Sequence, residues 1–214
     1  MQMNIIGNKT VDYLLQIKAI KLNTTNPFTW ASGLKSPIYC DNRKTLSHKE
    51  VRSFLKQAFA EIIREKYPEA EQLAGVATGA IAIGALVADV MDLPYVYIRS
   101  ESKKHGLQNR IEGDFDANKK TVVIEDLVST GKSSLAAVDA LAEANGKVLG
   151  MVAIFSYQLP VATQNFEAKQ CQLETLANYE ILLNRAIETN YISKDELDTL
   201  QQWRENPQEW ATHL

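Results

Sequence analysis

Residues 121–134 read TVVIEDLVSTGKSS, and their order decides the fold. Four β-branched residues, Thr121, Val122, Val123 and Ile124, run straight into two adjacent carboxylates, Glu125 and Asp126. Leu127 and Val128 follow, then a turn of hydroxyls and glycine (Ser129, Thr130, Gly131, Lys132, Ser133, Ser134) and an alanine-rich helical pattern. The pattern predicts a strand over Thr121–Glu125, a loop, a helix over Ser133–Asn145 and Gly146 as its C-cap. Backbone N–H groups at a helix N-terminus, with several hydroxyls beside them, suit a phosphate dianion. Gly131 lets the backbone approach a ligand closely, which a side chain there would prevent. The two carboxylates stand a few residues upstream, where they could accept hydrogen bonds from ribose hydroxyls. Two other readings compete. Ser133 could simply cap a helix behind a solvated strand end, but paired acids on a hydrophobic strand are costly without a partner. Gly131-Lys132-Ser133 also looks like the end of a G-x-x-x-x-G-K-[ST] phosphate loop. The first glycine of that motif would fall at Asp126, where an acid would repel a triphosphate.

Working outward, the same alternation repeats. A short apolar run, Leu73–Ala77, reaches Thr78-Gly79 and opens a helix over Ala80–Met91. Pro94 precedes a strand, Tyr95–Arg99; a polar loop follows, and a second apolar strand, Val148–Ser156, lies beyond Gly146. Near-continuous Val and Ile strands alternating with helices predict an α/β fold, a Rossmann-like parallel sheet flanked by helices. Such sheets take ligands beyond the carboxyl ends of their strands. Upstream, Val11–Ile20 has helical spacing with Thr10 as N-cap, and Asn23–Pro37 is loop-like. Val51, Phe54, Leu55, Ala58, Phe59, Ile62 and Ile63 trace one face of a helix capped by Ser47 and stopped near Pro68. The tail from Tyr179 reads as one or two amphipathic helices, with a capping start at Ser193. We expect one domain over 1–214, with an N-terminal helix and small hood over about 1–45 and a core over about 70–157.

Composition narrows the classes. The 214 residues are 45% hydrophobic and 23% charged with net charge −3, so no global electrostatic attraction to nucleic acid is expected. Cys40 and Cys171 are far apart without metal-ligand spacing and read as reduced thiols. The N-terminus lacks the basic and apolar regions of a signal peptide, and the stretch from Leu73 to Val90 is interrupted by glycines and Asp89. A cytoplasmic protein with no membrane partner is the expectation.

The segment VVIEDLVSTGKSS resembles the 5-phosphoribosyl-1-diphosphate motif of the type I phosphoribosyltransferases. The resemblance implies that Glu125 and Asp126 hold the ribose 2′- and 3′-hydroxyls. It implies that the turn Leu127, Val128, Ser129, Thr130, Gly131, Lys132 and Ser133 wraps the 5′-phosphate. Phe28–Tyr39 (FTWASGLKSPIY) resembles the hood of the orotate-specific branch of that family. Physically it offers a turn rich in backbone donors, the cation Lys35 and aromatic faces, which could hold a planar anion. Arg99 to Gly106 (RSESKKHG) resembles the catalytic loop of the same branch. Its Arg99, Lys103 and His105 are implied to reach the diphosphate, in a site shared between the two subunits of a homodimer. Implied substrates are orotate and 5-phosphoribosyl-1-diphosphate, with Mg²⁺ held mainly by the substrate rather than by protein ligands. The chain departs from the pattern at Ala31, at Ala77–Ala80 and at Tyr157, where family members carry cations. Two alternatives stay open: a phosphoribosyltransferase for a purine or uracil, and a regulator that binds phosphoribosyl diphosphate without turnover.

Overall fold

A computed structural model describes residues 2–99 and 110–210. The chain opens with α1 (Gln2–Gln16), which begins well before Thr10. Thr10 is therefore mid-helix, its hydroxyl donating to the Ile6 carbonyl at 2.8 Å rather than capping. The stretch expected as loop is a hairpin nested in a hairpin. β1 (Ile20–Leu22) pairs with β4 (Ile38–Cys40), and between them β2 (Phe28–Thr29) pairs with β3 (Lys35–Ser36). A 3₁₀ segment, Asn42–Ser47, leads into α2 (Lys49–Lys66). His48 rather than Ser47 precedes its first turn, and no side chain caps it. Its apolar face is buried as the spacing predicts, and it ends at Tyr67 because Pro68 disfavours a helical residue before it.

The remaining elements are β5 (Gln72–Val76), α3 (Ala80–Met91), β6 (Tyr95–Ile98), β7 (Ile111–Glu112), β8 (Lys120–Val128), α4 (Lys132–Glu143), β9 (Lys147–Ser156), α5 (Pro160–Ala168), β10 (Leu173–Asn178), α6 (Tyr179–Glu188), α7 (Lys194–Glu205) and α8 (Pro207–Trp210). The central sheet runs β10-β9-β8-β5-β6-β7, every pair parallel except β6 with β7. Alternate residues of its strands point to opposite faces, and both are buried. Val122, Ile124, Val152 and Ile154 join α2, α3 and α6 in one cluster. Ala74, Val123, Met151 and Ala153 join α4 and α5 in the other. The parallel sheet covered on both faces is thus as predicted. The capping box at Ser193 is present, with Ser193 Oγ accepting from the Glu196 N–H and the Glu196 carboxylate accepting from the Ser193 N–H. After α4 the left-handed residue is Asn145 (φ 60°), not Gly146.

Strand order positions the site. From β5 the chain moves outward to β6, then crosses back to β8 on the other side of β5. Loops leaving the carboxyl ends of β5 and β8 therefore diverge toward opposite faces and open a crevice at this switch point. Among the described residues no helix is long and apolar enough to cross a membrane. Both cysteines are buried and unpaired, and burial pushes the Cys171 thiol up to about 11, which disfavours thiolate chemistry.

Candidate active site

β8 is longer than its neighbour β5, and that difference creates the site. β5 pairs with β8 only as far as Gly75 opposite Ile124, whereas β9 accompanies β8 to Val128. The acid pair is thus within a strand, one side of which has lost its partner. Glu125 is buried; its carboxylate accepts from Ser134 Oγ at 2.8 Å and from the Asp126 N–H at 2.9 Å. Burial first, then the neighbouring Asp126 charge, push the Glu125 carboxyl well above its usual range. Asp126 is half-buried and is also raised, chiefly by burial, although Arg43 opposes the shift. Two carboxyls so placed gain from any hydroxyl that donates to them.

Asp126 is framed on two sides. A Cβ at Gly79, in the turn after β5, would overlap the Asp126 carboxylate, so only glycine permits this approach. From the hood side, Asn42 Nδ2 donates to the Asp126 carbonyl, and Arg43 is fixed by its Nε bond to Asp41 at 2.7 Å. Sequence reasoning stopped at Tyr39 and missed Asn42 and Arg43. The Asp-Asn-Arg string after β4 was the available signal, three polar residues at the end of an apolar strand.

Beyond β8 the chain turns through Ser129 and Thr130 to Gly131, whose φ of 78° starts α4 from the left-handed region. Among the described residues the backbone N–H groups of Thr130, Gly131, Lys132 and Ser133 have no hydrogen-bond partner. They are the orphan donors of a helix start, beside the hydroxyls of Ser129, Thr130 and Ser133. Lys132 and Ser133 are exposed, Leu127 is half-buried, and Val128 puts its side chain in the core and its carbonyl on the Tyr157 N–H at 3.0 Å. The structure therefore brings Glu125, Asp126 and the donor-rich turn to one place.

Of the other predicted residues, Lys35 and Arg99 are among those described. Lys35 is exposed on β3, its Nζ donating to Thr29 Oγ1 at 2.7 Å. Arg99 follows β6 and is ion-paired with Glu112 at 3.3 Å. Its backbone N–H bonds the Arg110 carbonyl at 2.8 Å, and Arg110 Nε returns a bond to the Arg99 carbonyl at 3.2 Å. Lys103 and His105 lie outside the described residues. Tyr157, where the family pattern suggested a cation, is buried beneath the hood with its ring 4.9 Å from that of Trp30.

The Phosphoribosyl transferase domain family matches residues 43–181. A curated orotate phosphoribosyltransferase of Porphyromonas gingivalis is 50% identical over 209 residues, covering 98% of this chain and all of that one. That of Bacteroides fragilis is 53% identical over 199 residues, covering 93% and 94% of the two chains. Among solved structures, orotate phosphoribosyltransferase from Aeropyrum pernix superposes with a TM-score of 0.74 at 22% identity. That match covers 86% of this chain and 99% of the other, a likeness of fold. On this match in sequence along nearly the whole chain, with the acid pair and donor-rich turn at the switch point of the sheet, the chain belongs to the orotate phosphoribosyltransferases of the type I phosphoribosyltransferase family.

Proposed function

We propose that the protein transfers the 5-phosphoribosyl group of 5-phosphoribosyl-1-diphosphate to orotate, giving orotidine 5′-phosphate and diphosphate in pyrimidine synthesis. The observation that carries this is the continuity of β8, Glu125–Asp126 and the Ser129–Ser133 turn at the switch point. Ribose hydroxyls would donate to the two raised carboxyls, and the orphan N–H groups at the start of α4 would hold the 5′-phosphate. With the sugar clamped at both ends, C1 is held in place, and positive charge builds on the ring as diphosphate leaves. Orotate nitrogen attacks from the opposite face. Lys35 and the backbone donors of the hood would meet the anionic base.

Stabilising the leaving diphosphate falls to Arg99, Lys103 and His105, with His105 donating a proton to it. The hard oxygen donors at Glu125 and Asp126 fit a Mg²⁺ ion that keeps phosphate oxygens and water as most of its ligands, and when bound it neutralises leaving-group charge. We place this chemistry in one domain, in a cytoplasmic homodimer whose site takes the Arg99–Gly106 loop from the neighbouring subunit. A spectrophotometric assay of orotate loss with donor and Mg²⁺ tests the reading. Turnover is expected with orotate and not with adenine, hypoxanthine or uracil. Turnover with a purine or uracil alone would move the protein to another branch, and donor binding without turnover of any base would make it a regulator.

A further inference from the structure

We infer that Asn165, on α5, is a positioning residue for the 5′-phosphate subsite, acting through the peptide bond between Thr130 and Gly131. Asn165 Nδ2 donates to the Thr130 carbonyl at 2.9 Å, joining α5 to the turn across 35 residues of sequence. A trans peptide is planar, with its C=O and N–H on opposite sides. Tying the Thr130 carbonyl to α5 therefore turns the Gly131 N–H away from α5, toward the open side of the turn. That N–H is one of the orphan donors described above. Without the tie, the peptide plane is free to rotate and to offer its carbonyl oxygen, which would repel a phosphate.

The next residue on α5 does related work by contact. The Phe166 ring lies beneath Gly131, its edge 2.8 Å from where a Cβ would stand. Phe166 is buried and holds the turn from below, while Asn165 fixes how its peptide faces. Lys169, the C-cap residue just after α5, pairs with Asp139 of α4 at 2.7 Å, so the two helices are joined beyond the turn as well. The subsite is therefore built against α5, not only at the end of β8.

The inference rests on the turn being the phosphate site, and its test separates the two. Asn165→Ala and the near-isosteric Asn165→Leu are titrated calorimetrically with ribose 5-phosphate and, separately, with magnesium diphosphate. The double variant Thr130→Ala/Ser133→Ala is titrated in parallel. Loss of one well-aimed donor to a charged group predicts ribose 5-phosphate binding about tenfold weaker in both Asn165 variants, with diphosphate binding unchanged. In steady state the donor KM rises with little change in kcat. Unchanged ribose 5-phosphate affinity in the Asn165 variants, with loss in the Thr130/Ser133 variant, would overturn the role of Asn165 and leave the phosphate site standing. Unchanged affinity in all three would overturn both. Equal weakening of both ligands in the Asn165 variants would also overturn it, since general loosening of the fold affects both.

Discussion

Gly131→Ala tests the shape of the phosphate turn most directly. Two costs add at that residue. Its φ of 78° lies in the left-handed region, where an L side chain costs about 1–2 kcal/mol. The new methyl would also stand 2.8 Å from Phe166 Cε2, close enough that the ring must move. Phe166 is packed between α4 and the sheet in a buried cluster, so displacing it costs about 1–2 kcal/mol more. The sum is about 3 kcal/mol. For a chain of this length that lowers Tm by about 6–12 °C, at about 2–4 °C per kcal/mol. Differential scanning fluorimetry of both proteins measures this, and Phe166→Leu in the Gly131→Ala background should recover the contact part only. The donor KM should rise, because the turn can relax only by rotating peptides that carry the orphan N–H groups. A Tm within about 2 °C of wild type would refute the reasoning, since it would mean that neither the backbone conformation nor the Phe166 contact constrains this position.

The acid pair makes a pH prediction with an unusual sign. Glu125 is raised above its ordinary value of 4.5, so between that value and its folded pKa the folded state holds a proton that the unfolded chain has released. Stability then falls as pH rises through this window, and Glu125→Gln should flatten the fall; urea unfolding at pH 5 and pH 8 measures it, and parallel slopes for the two proteins would exclude it. Asp126→Asn should remove an acceptor for ribose and weaken donor binding about tenfold or more in isothermal titration while leaving Tm unchanged or higher. His105→Ala should lower kcat about 100-fold at saturating substrates; an unchanged kcat would remove the acid role. Mixing Lys103→Ala with the double variant Glu125→Ala/Asp126→Ala, each inactive alone, should restore about a quarter of the wild-type rate if each site draws on both subunits of a twofold dimer, and nothing if it does not.

Much of the core was legible because its signals are local. Thr121–Ile124 and Val148–Ser156 are apolar runs of strand length bounded by glycine or polar turns, and both form parallel strands. The helix face from Val51 to Ile63 and the capping box at Ser193 need only the residues themselves. What sequence reasoning missed depends on tertiary neighbours. β2 and β3 are two-residue pairings whose main-chain bonds exist only because the surrounding β1–β4 hairpin brings them together. α5 and β10 were not predicted at all: α5 mixes Thr163, Gln164, Asn165 and Glu167 with few apolar residues, and β10 carries Glu174 and Asn178 on an edge. Asn165 has no local signature, since a helical asparagine tells nothing of the carbonyl it will meet. The extension of β8 beyond Ile124 was likewise invisible, because it depends on where β5 stops.

Tyr157 shows how a departure from pattern becomes structure. The family pattern has a cation near this position to meet an anionic base, but the side chain here is buried among Trp30, Phe155 and Trp203, with ring separations of 4.9, 5.6 and 6.0 Å. An arginine in this setting would lose its hydration without a carboxylate to replace it, a cost of several kcal/mol. Burial also holds the Tyr157 phenol well above its usual range, so it stays neutral. What the position supplies instead is attachment. Trp203 on α7 meets Trp30 of the hood edge-on at 5.6 Å between ring centres, and its indole N–H donates to the Lys35 carbonyl at 3.2 Å. Trp30 in turn donates to the Ile38 carbonyl at 3.1 Å. The hairpin that carries Lys35 is thus fastened at its backbone to α7 and at its rings to the end of β9. Any anion-binding role of the hood therefore falls to Lys35 and the backbone donors of the turn, whose placement depends on an aromatic cluster rather than on a second cation.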